Sequence, residues 1–136
     1  MTHIPITSRG RFIGAATASA AAIGFPAIIS AQSKELVIGL DVPLSGPYSD
    51  QGKDQLRAYN MAIDEVNKAG GIMGMTIVPS IGDDQTTADV ARDNAQRMIE
   101  RDGAVMITGG SSTGTALAVS ALCQAKKTIF MACGAT

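Results

Sequence analysis

The chain has 136 residues, 46% of them apolar, with 11 basic and 12 acidic side chains and a formal net charge of −1. That composition supports one small globular domain and excludes a disordered tail, and the near-balanced charge gives no footing for nucleic acid or an acidic membrane surface. Two cysteines, Cys123 and Cys133, are too few for a disulfide framework or a zinc site on their own.

The charges are unevenly placed. Every carboxylate lies beyond residue 31, whereas Arg9 and Arg11 precede it. MTHIPITSRGR is a basic leader, FIGAATASAAAIGFPAII is Ala-rich and moderately apolar, and Ile29, Ser30 and Ala31 place an aliphatic and then small residues before Gln32. This predicts an export signal over residues 1–31, cleaved after Ala31, and a periplasmic mature chain. A single-pass anchor is the alternative, disfavoured by the glycines, the proline and the small polar residues of the run. Ser8 to Ile13 resembles a twin-arginine signal with Gly10 in place of the second arginine, so the route is either general secretion or a degenerate twin-arginine signal.

From residue 32 the sequence alternates between two periods. ELVIGLDVPL (35–44) is an apolar, β-branched run ended by Ser-Gly-Pro, and predicts a buried strand. QGKDQLRAYNMAIDEVNKAGG follows, with Leu56, Tyr59 or Asn60, Ile63 and Val66 or Asn67 near one helical face and Gly70-Gly71 as the stop. MTIVPSIGDD (75–84) predicts a second strand, whose Pro79 suggests an edge position or a bend. TTADVARDNAQRMIERDG then reads as a helix, with Thr86 or Thr87 as cap, Val90, Ala91, Met98 and Ile99 on helical spacing, and Gly103 as terminator. AVMITGG predicts a strand, TGTALAVSALCQAKK a helix with a basic last turn, and TIFMACGAT a fourth strand.

Strictly alternating strands and helices predict an α/β fold: an open parallel sheet with right-handed crossovers and helices on both faces. In such sheets ligands bind beyond the carboxyl ends of the strands. Four segments converge there: SGPYSDQG, DDQTT, GGSSTG and CGAT.

GGSSTGT (109–115) has the glycine spacing of a phosphate loop at Gly109 and Gly114, but Thr115 and Ala116 stand where lysine and a hydroxyl residue are required. The dinucleotide fingerprint is absent too, so no nucleotide cofactor is expected. Hydroxyls and backbone amides at a helix start suit a carboxylate; the alternative is that Ser111, Ser112 and Thr113 simply cap the third helix. Catalysis finds little support, because the one histidine, His3, falls in the predicted leader. Asp83 and Asp84 are neighbours on a strand and point to opposite faces, which disfavours a shared metal ion and favours a turn or hydrogen-bonding role. Cys123 fits the apolar pattern of the third helix, whereas Cys133 ends a strand at the site edge, where a disulfide to a cysteine outside this sequence is one hypothesis.

PLSGPYSDQG, NKAGGIMG, DDQTTADVARDNAQRMI, GGSSTGTALAVSAL and the final CGAT, in this order and spacing, resemble the periplasmic solute-binding proteins of ATP-driven importers, in particular the branched-chain amino acid (Leu/Ile/Val) binding family. The resemblance runs from about Leu36 to Thr136 and implies a type I periplasmic-binding-protein N-terminal lobe over residues 32–136. It also implies a second lobe, closure on a small amino acid, amide or carboxylate ligand, and delivery to an inner-membrane ABC permease without catalysis. By position, Thr113 matches the hydroxyl that receives the ligand's α-carboxylate, aided by Ser111 and Ser112. Gly134, Ala135 and Thr136 match the segment that binds the α-amino and carboxylate groups, through the Gly134 carbonyl and the Thr136 hydroxyl. Tyr48 and Gln51 fall in the loop that lines the side-chain pocket. Family chains run to several hundred residues, so a truncated lobe is expected here. A signalling-receptor ectodomain on the same lobes, or an exported α/β enzyme, are the other readings.

Overall fold

The computed structural model describes residues 35–134; the predicted export leader and the predicted site residues Ala135 and Thr136 lie outside the described residues. Seven elements alternate: β1 (Glu35–Val42), α1 (Ser49–Lys68), β2 (Thr76–Asp83), α2 (Ala88–Glu100), β3 (Met106–Gly109), α3 (Thr113–Lys126) and β4 (Ile129–Ala132). The four strands form one parallel sheet in the order β2-β1-β3-β4.

This order places a reversal between β1 and β3. The chain leaves β1 in one direction to make β2, then crosses back over β1 to make β3. Because crossovers are right-handed, reversing direction puts α1 on one face and α2 and α3 on the other. Accordingly α1 packs on β1 and β2, while α2 and α3 pack against each other across the opposite face. The loops after β1 and β3 therefore diverge and leave a crevice at their carboxyl ends.

The core lies between the sheet and α2–α3. Ala91, Ala95 and Met98 repeat at helical spacing on α2 and are fully buried against Ile107 of β3 and Val119 and Cys123 of α3. The two alanines let the helix approach closely, and Met98 fills the remaining space, a burial that stabilises by roughly 1.5–3 kcal/mol. Cys123 is the small buried hydrophobe that its place in the apolar pattern predicts.

Strand β2 lies at the edge of the sheet, one of the two readings, edge or bend, that Pro79 left open. Its start pairs with β1 on one side and is held by a side chain on the other. Asn67 of α1 donates to the Ile77 carbonyl at 2.9 Å and accepts from the Ile77 amide at 2.8 Å, so the helix imitates a sheet neighbour. Helix stops also follow the sequence, since Gly70, Gly71 and Gly103 all have positive φ. Two boundaries differ from expectation. Helix α1 begins two residues earlier than Gln51 predicts, and α2 has Thr87 at its N-cap without a side-chain cap bond. Asp84 orders the turn that leads into α2, accepting from the Thr86 amide at 2.7 Å with its side chain and from the Thr87 amide at 2.7 Å with its carbonyl.

Candidate functional site at the carboxyl ends of β1 and β3

Four loops meet at this end of the sheet, and each is tied to its neighbour by a specific bond. After β1, the chain turns through Pro43 and Gly46 into α1. Asp83, the last residue of β2, reaches across to that turn: its carboxylate accepts from the Leu44 amide (2.8 Å), the Ser45 amide (3.1 Å), the Ser45 hydroxyl (2.6 Å) and its own loop's Gln85 amide (3.0 Å). Burial alone raises the Asp83 carboxyl, but these four donors outweigh it and hold the group below its ordinary range. Asp84, one residue on, is fully buried and serves the start of α2. The adjacent aspartates thus have separate hydrogen-bonding roles and do not converge.

The glycines of GGSSTGT serve the backbone. A Cβ on Gly109 would lie 1.8 Å from the Asp41 carbonyl oxygen, and its φ is 139°. Only glycine lets β3 end this close to β1. Gly110 then donates to the Asp41 carbonyl at 3.3 Å, and Cys133 donates to the Gly109 carbonyl at 2.8 Å, so the crevice loops share one hydrogen-bonded seam.

The hydroxyls that follow divide their work. Ser111 is buried and donates to Gln55 Oε1 on α1 at 2.8 Å. Ser112 caps α3: its side chain accepts from the Thr115 amide at 3.3 Å, and the Thr115 hydroxyl accepts from the Ser112 amide at 3.3 Å, a reciprocal capping box. Thr113 begins α3 on the exposed side, where the helix dipole favours negative charge.

Helix α1 supplies the opposing wall. Gln51, Gln55 and Tyr59 recur every fourth residue and so share one face. The amide nitrogens of Gln55 and Gln51 lie 3.6 and 3.9 Å from where a Gly134 Cβ would stand, which brings Gln51 and Gly134 to the same place as Ser111. Tyr48 sits at the N-cap of α1, 45% exposed, and makes no side-chain cap bond. Below them the Thr108 hydroxyl donates to the Met131 carbonyl at 3.0 Å, leaving the Tyr59 phenol to donate to Thr108 at 3.0 Å. Burial, and then the neighbouring Cys133, push the Tyr59 phenol up to about 12, so it keeps its proton at neutral pH. Cys133 is a free, half-buried thiol 3.9 Å from the Thr108 hydroxyl.

Sequence reasoning placed Gln51, Ser111, Ser112, Thr113 and Gly134 at this end. It missed Gln55, Asp83 as the clasp of the first loop, and the Tyr59–Thr108 pair. The i, i+4 spacing of Gln51 and Gln55 was the available signal.

Residues 35–136 match the family model described as "Periplasmic binding protein". A curated relative, Leu/Ile/Val-binding protein homolog 3 of Brucella melitensis, is 34% identical over 103 residues, covering 76% of this chain and 27% of the relative. Among solved structures, the branched-chain amino acid transporter substrate binding protein LivJ of Streptococcus pneumoniae, in complex with isoleucine, superposes with a TM-score of 0.73 at 23% identity, over 76% of this chain and 30% of that one. The solute binding protein of an ABC transporter from Rhodopseudomonas palustris, in complex with 3,4-dihydroxy benzoic acid, superposes at 0.67 with 27% identity, over 74% and 27%. The chain thus spans a little over a quarter of the length of these proteins. With a family model covering all the described residues and an open parallel sheet of the matching topology, the chain belongs to the periplasmic binding protein family.

Proposed function

We propose that this chain forms part of the exported substrate-binding component of an ABC importer, taking up an amino acid or a related small carboxylate or amide and handing it to an inner-membrane permease without chemical turnover. The observation that carries the reading is the division of labour in residues 111–113. Ser111 is buried and holds the loop to Gln55, Ser112 caps α3, and Thr113 is exposed in the first turn of α3, at the positive end of the helix on the loop after β3. A carboxylate there gains a hydroxyl donor and a favourable dipole, and needs no lysine.

Ser111 and Ser112 hold the loop that presents Thr113. Gly134, Ala135 and Thr136 bind the ligand's amino and carboxylate groups from the neighbouring loop, and Tyr48 and Gln51 line the space for its side chain. Relatives whose ligands are isoleucine and 3,4-dihydroxy benzoic acid both carry a carboxylate, which supports the class and leaves the side chain to the first-loop residues.

The test is calorimetry on the intact protein with L-isoleucine and with 3,4-dihydroxybenzoate as probes. Thr113→Val is expected to weaken binding of whichever probe is bound by about 1–3 kcal/mol, the worth of a hydrogen bond to a charged group. Unchanged affinity in that variant would remove Thr113 from the site, and turnover of the bound probe would replace the transport reading with an enzymatic one.

A further inference from the structure

Asp41 and Asp84 are the only fully buried acidic residues among the described residues. They lie on the same face of the sheet. Side chains added at Gly39 and Gly82 would meet Met98 and Asn94 of α2, and Asp41 and Asp84 each follow one of these glycines by two residues. The register pairs Asp41 with Gly82, and the ladder continues through the Asp84 amide bonding the Val42 carbonyl at 3.2 Å. The two carboxyls are therefore diagonal neighbours on adjacent strands, both under α2.

Each is half satisfied. Asp41 Oδ1 accepts from the Asn94 amide at 3.1 Å and Asp84 Oδ1 from the Thr86 amide at 2.7 Å, but Oδ2 of both is buried with no hydrogen-bond partner. Two buried carboxylates with one donor each are a costly arrangement, since ionised oxygens can only accept. Keeping one acid neutral is the less costly arrangement, because it leaves one fewer buried charge and removes the like-charge repulsion.

We propose that Asp41 stays protonated beside the buried Asp84 through the neutral range, and that loss of this proton loosens the junction of β1, β2 and α2 beneath the crevice.

The surroundings agree. From α2, Asn94 faces Asp41 and Arg97 acts on it from farther off, its guanidinium engaged by Asp102 (2.5 Å), the Ser80 hydroxyl (3.5 Å) and the Ile81 carbonyl (3.2 Å). From the end of β2, Asp83 and Asp84 both oppose a charge at Asp41. From α3, the Cys123 thiol is raised by burial and further by Asp41, and β3 contributes no titratable group. Burial foremost pushes Asp41 up to about 8, and burial likewise raises Asp84. The carbonyls of the same two residues hold the site loops, Asp41 through the Gly110 amide and Asp84 through the Thr87 amide. Charging the pair therefore strains both loops at their roots.

An acid raised on folding binds its proton in the folded chain when the unfolded chain has already lost it. The stability that Asp41 contributes is complete below the unfolded value of 3.8, falls as pH rises, and is gone above about 8.

The experiment is carbon-13 NMR of aspartate-labelled intact protein, titrated from acid to mildly alkaline pH, with urea unfolding across the same range. One carboxyl resonance is expected to keep its protonated shift through pH 7 and to vanish in Asp41→Asn, and Asp84→Asn should lower its midpoint by relieving the repulsion. Between the two titration points the unfolding constant of the native protein should rise about tenfold per pH unit relative to Asp41→Asn. If Asp41→Asn does not fold, the native titration decides alone. An Asp41 resonance that titrates below pH 5, or equal pH dependence in native and Asp41→Asn proteins, overturns the proposal.

Discussion

Ser111 on the loop after β3 and Gln55 on α1, 56 positions apart in sequence, are joined by a 2.8 Å hydrogen bond that fixes the two walls of the crevice relative to each other. Ser111 is 6% exposed, so water cannot easily replace its partner. Gln55→Ala should therefore cost about 1–3 kcal/mol, the penalty of a stranded buried hydroxyl. The urea midpoint of the intact protein measures it, and Gln55→Glu, which keeps an acceptor for the serine, should recover most of the loss. A midpoint unmoved by Gln55→Ala would mean the bond does not hold the walls together.

Asp83 should order the first loop by its charge. Its carboxyl is held below the ordinary range by the Ser45 hydroxyl and the amides of Gln85, Leu44 and Ser45, against the opposing pull of burial. A carboxyl lowered on folding contributes stability that is present above its unfolded value of 3.8 and lost as pH falls through its folded one. Asp83→Ala is expected to speed hydrogen exchange at Leu44, Ser45 and Gln85 by about tenfold or more, as loss of roughly 1.4 kcal/mol of local protection implies. Exchange at Ile107, in the core, should stay as it was. Slow exchange at all three loop amides in the variant would show that the loop is ordered by something else.

Gly109 and Gly114, five residues apart in one glycine-rich loop, should respond in opposite ways to alanine. At Gly109 the added carbon meets the Asp41 carbonyl at 1.8 Å and the backbone is in a region disfavoured for side chains. Gly109→Ala should cost about 2–5 kcal/mol from strain and overlap together. Gly114 sits in the first turn of α3 with nothing within 4 Å of an added carbon. Gly114→Ala should leave stability unchanged or raise it by up to about 1 kcal/mol. Thermal unfolding of both variants distinguishes this from a loop in which the glycines are equivalent.

Periodicity and punctuation determined the order of elements, their types and part of the core face of α2, and narrowed Pro79 to an edge position or a bend. Each of these depends on a local pattern: Ala91 and Met98 share a face because helices turn every 3.6 residues, and Pro79 suits an edge or a bend because it lacks an N–H; Ala95 joined that face and Val90 and Ile99 stayed only partly buried. Local pattern also placed Ser111, Ser112 and Thr113 together, since they are consecutive. It could not divide their roles. The Ser112 capping box is local, but the burial of Ser111 against Gln55 depends on where α1 lies, and α1 is set by a crossover that no three-residue window contains. The clasp from Asp83 to Ser45 spans 38 positions, and the Asp41–Asp84 pair exists only because β1 and β2 are adjacent in register. Sequence decides which groups a segment carries; the pairing of strands decides which of them are deprived of water, and that deprivation gives a carboxyl its pKa and a hydroxyl its partner.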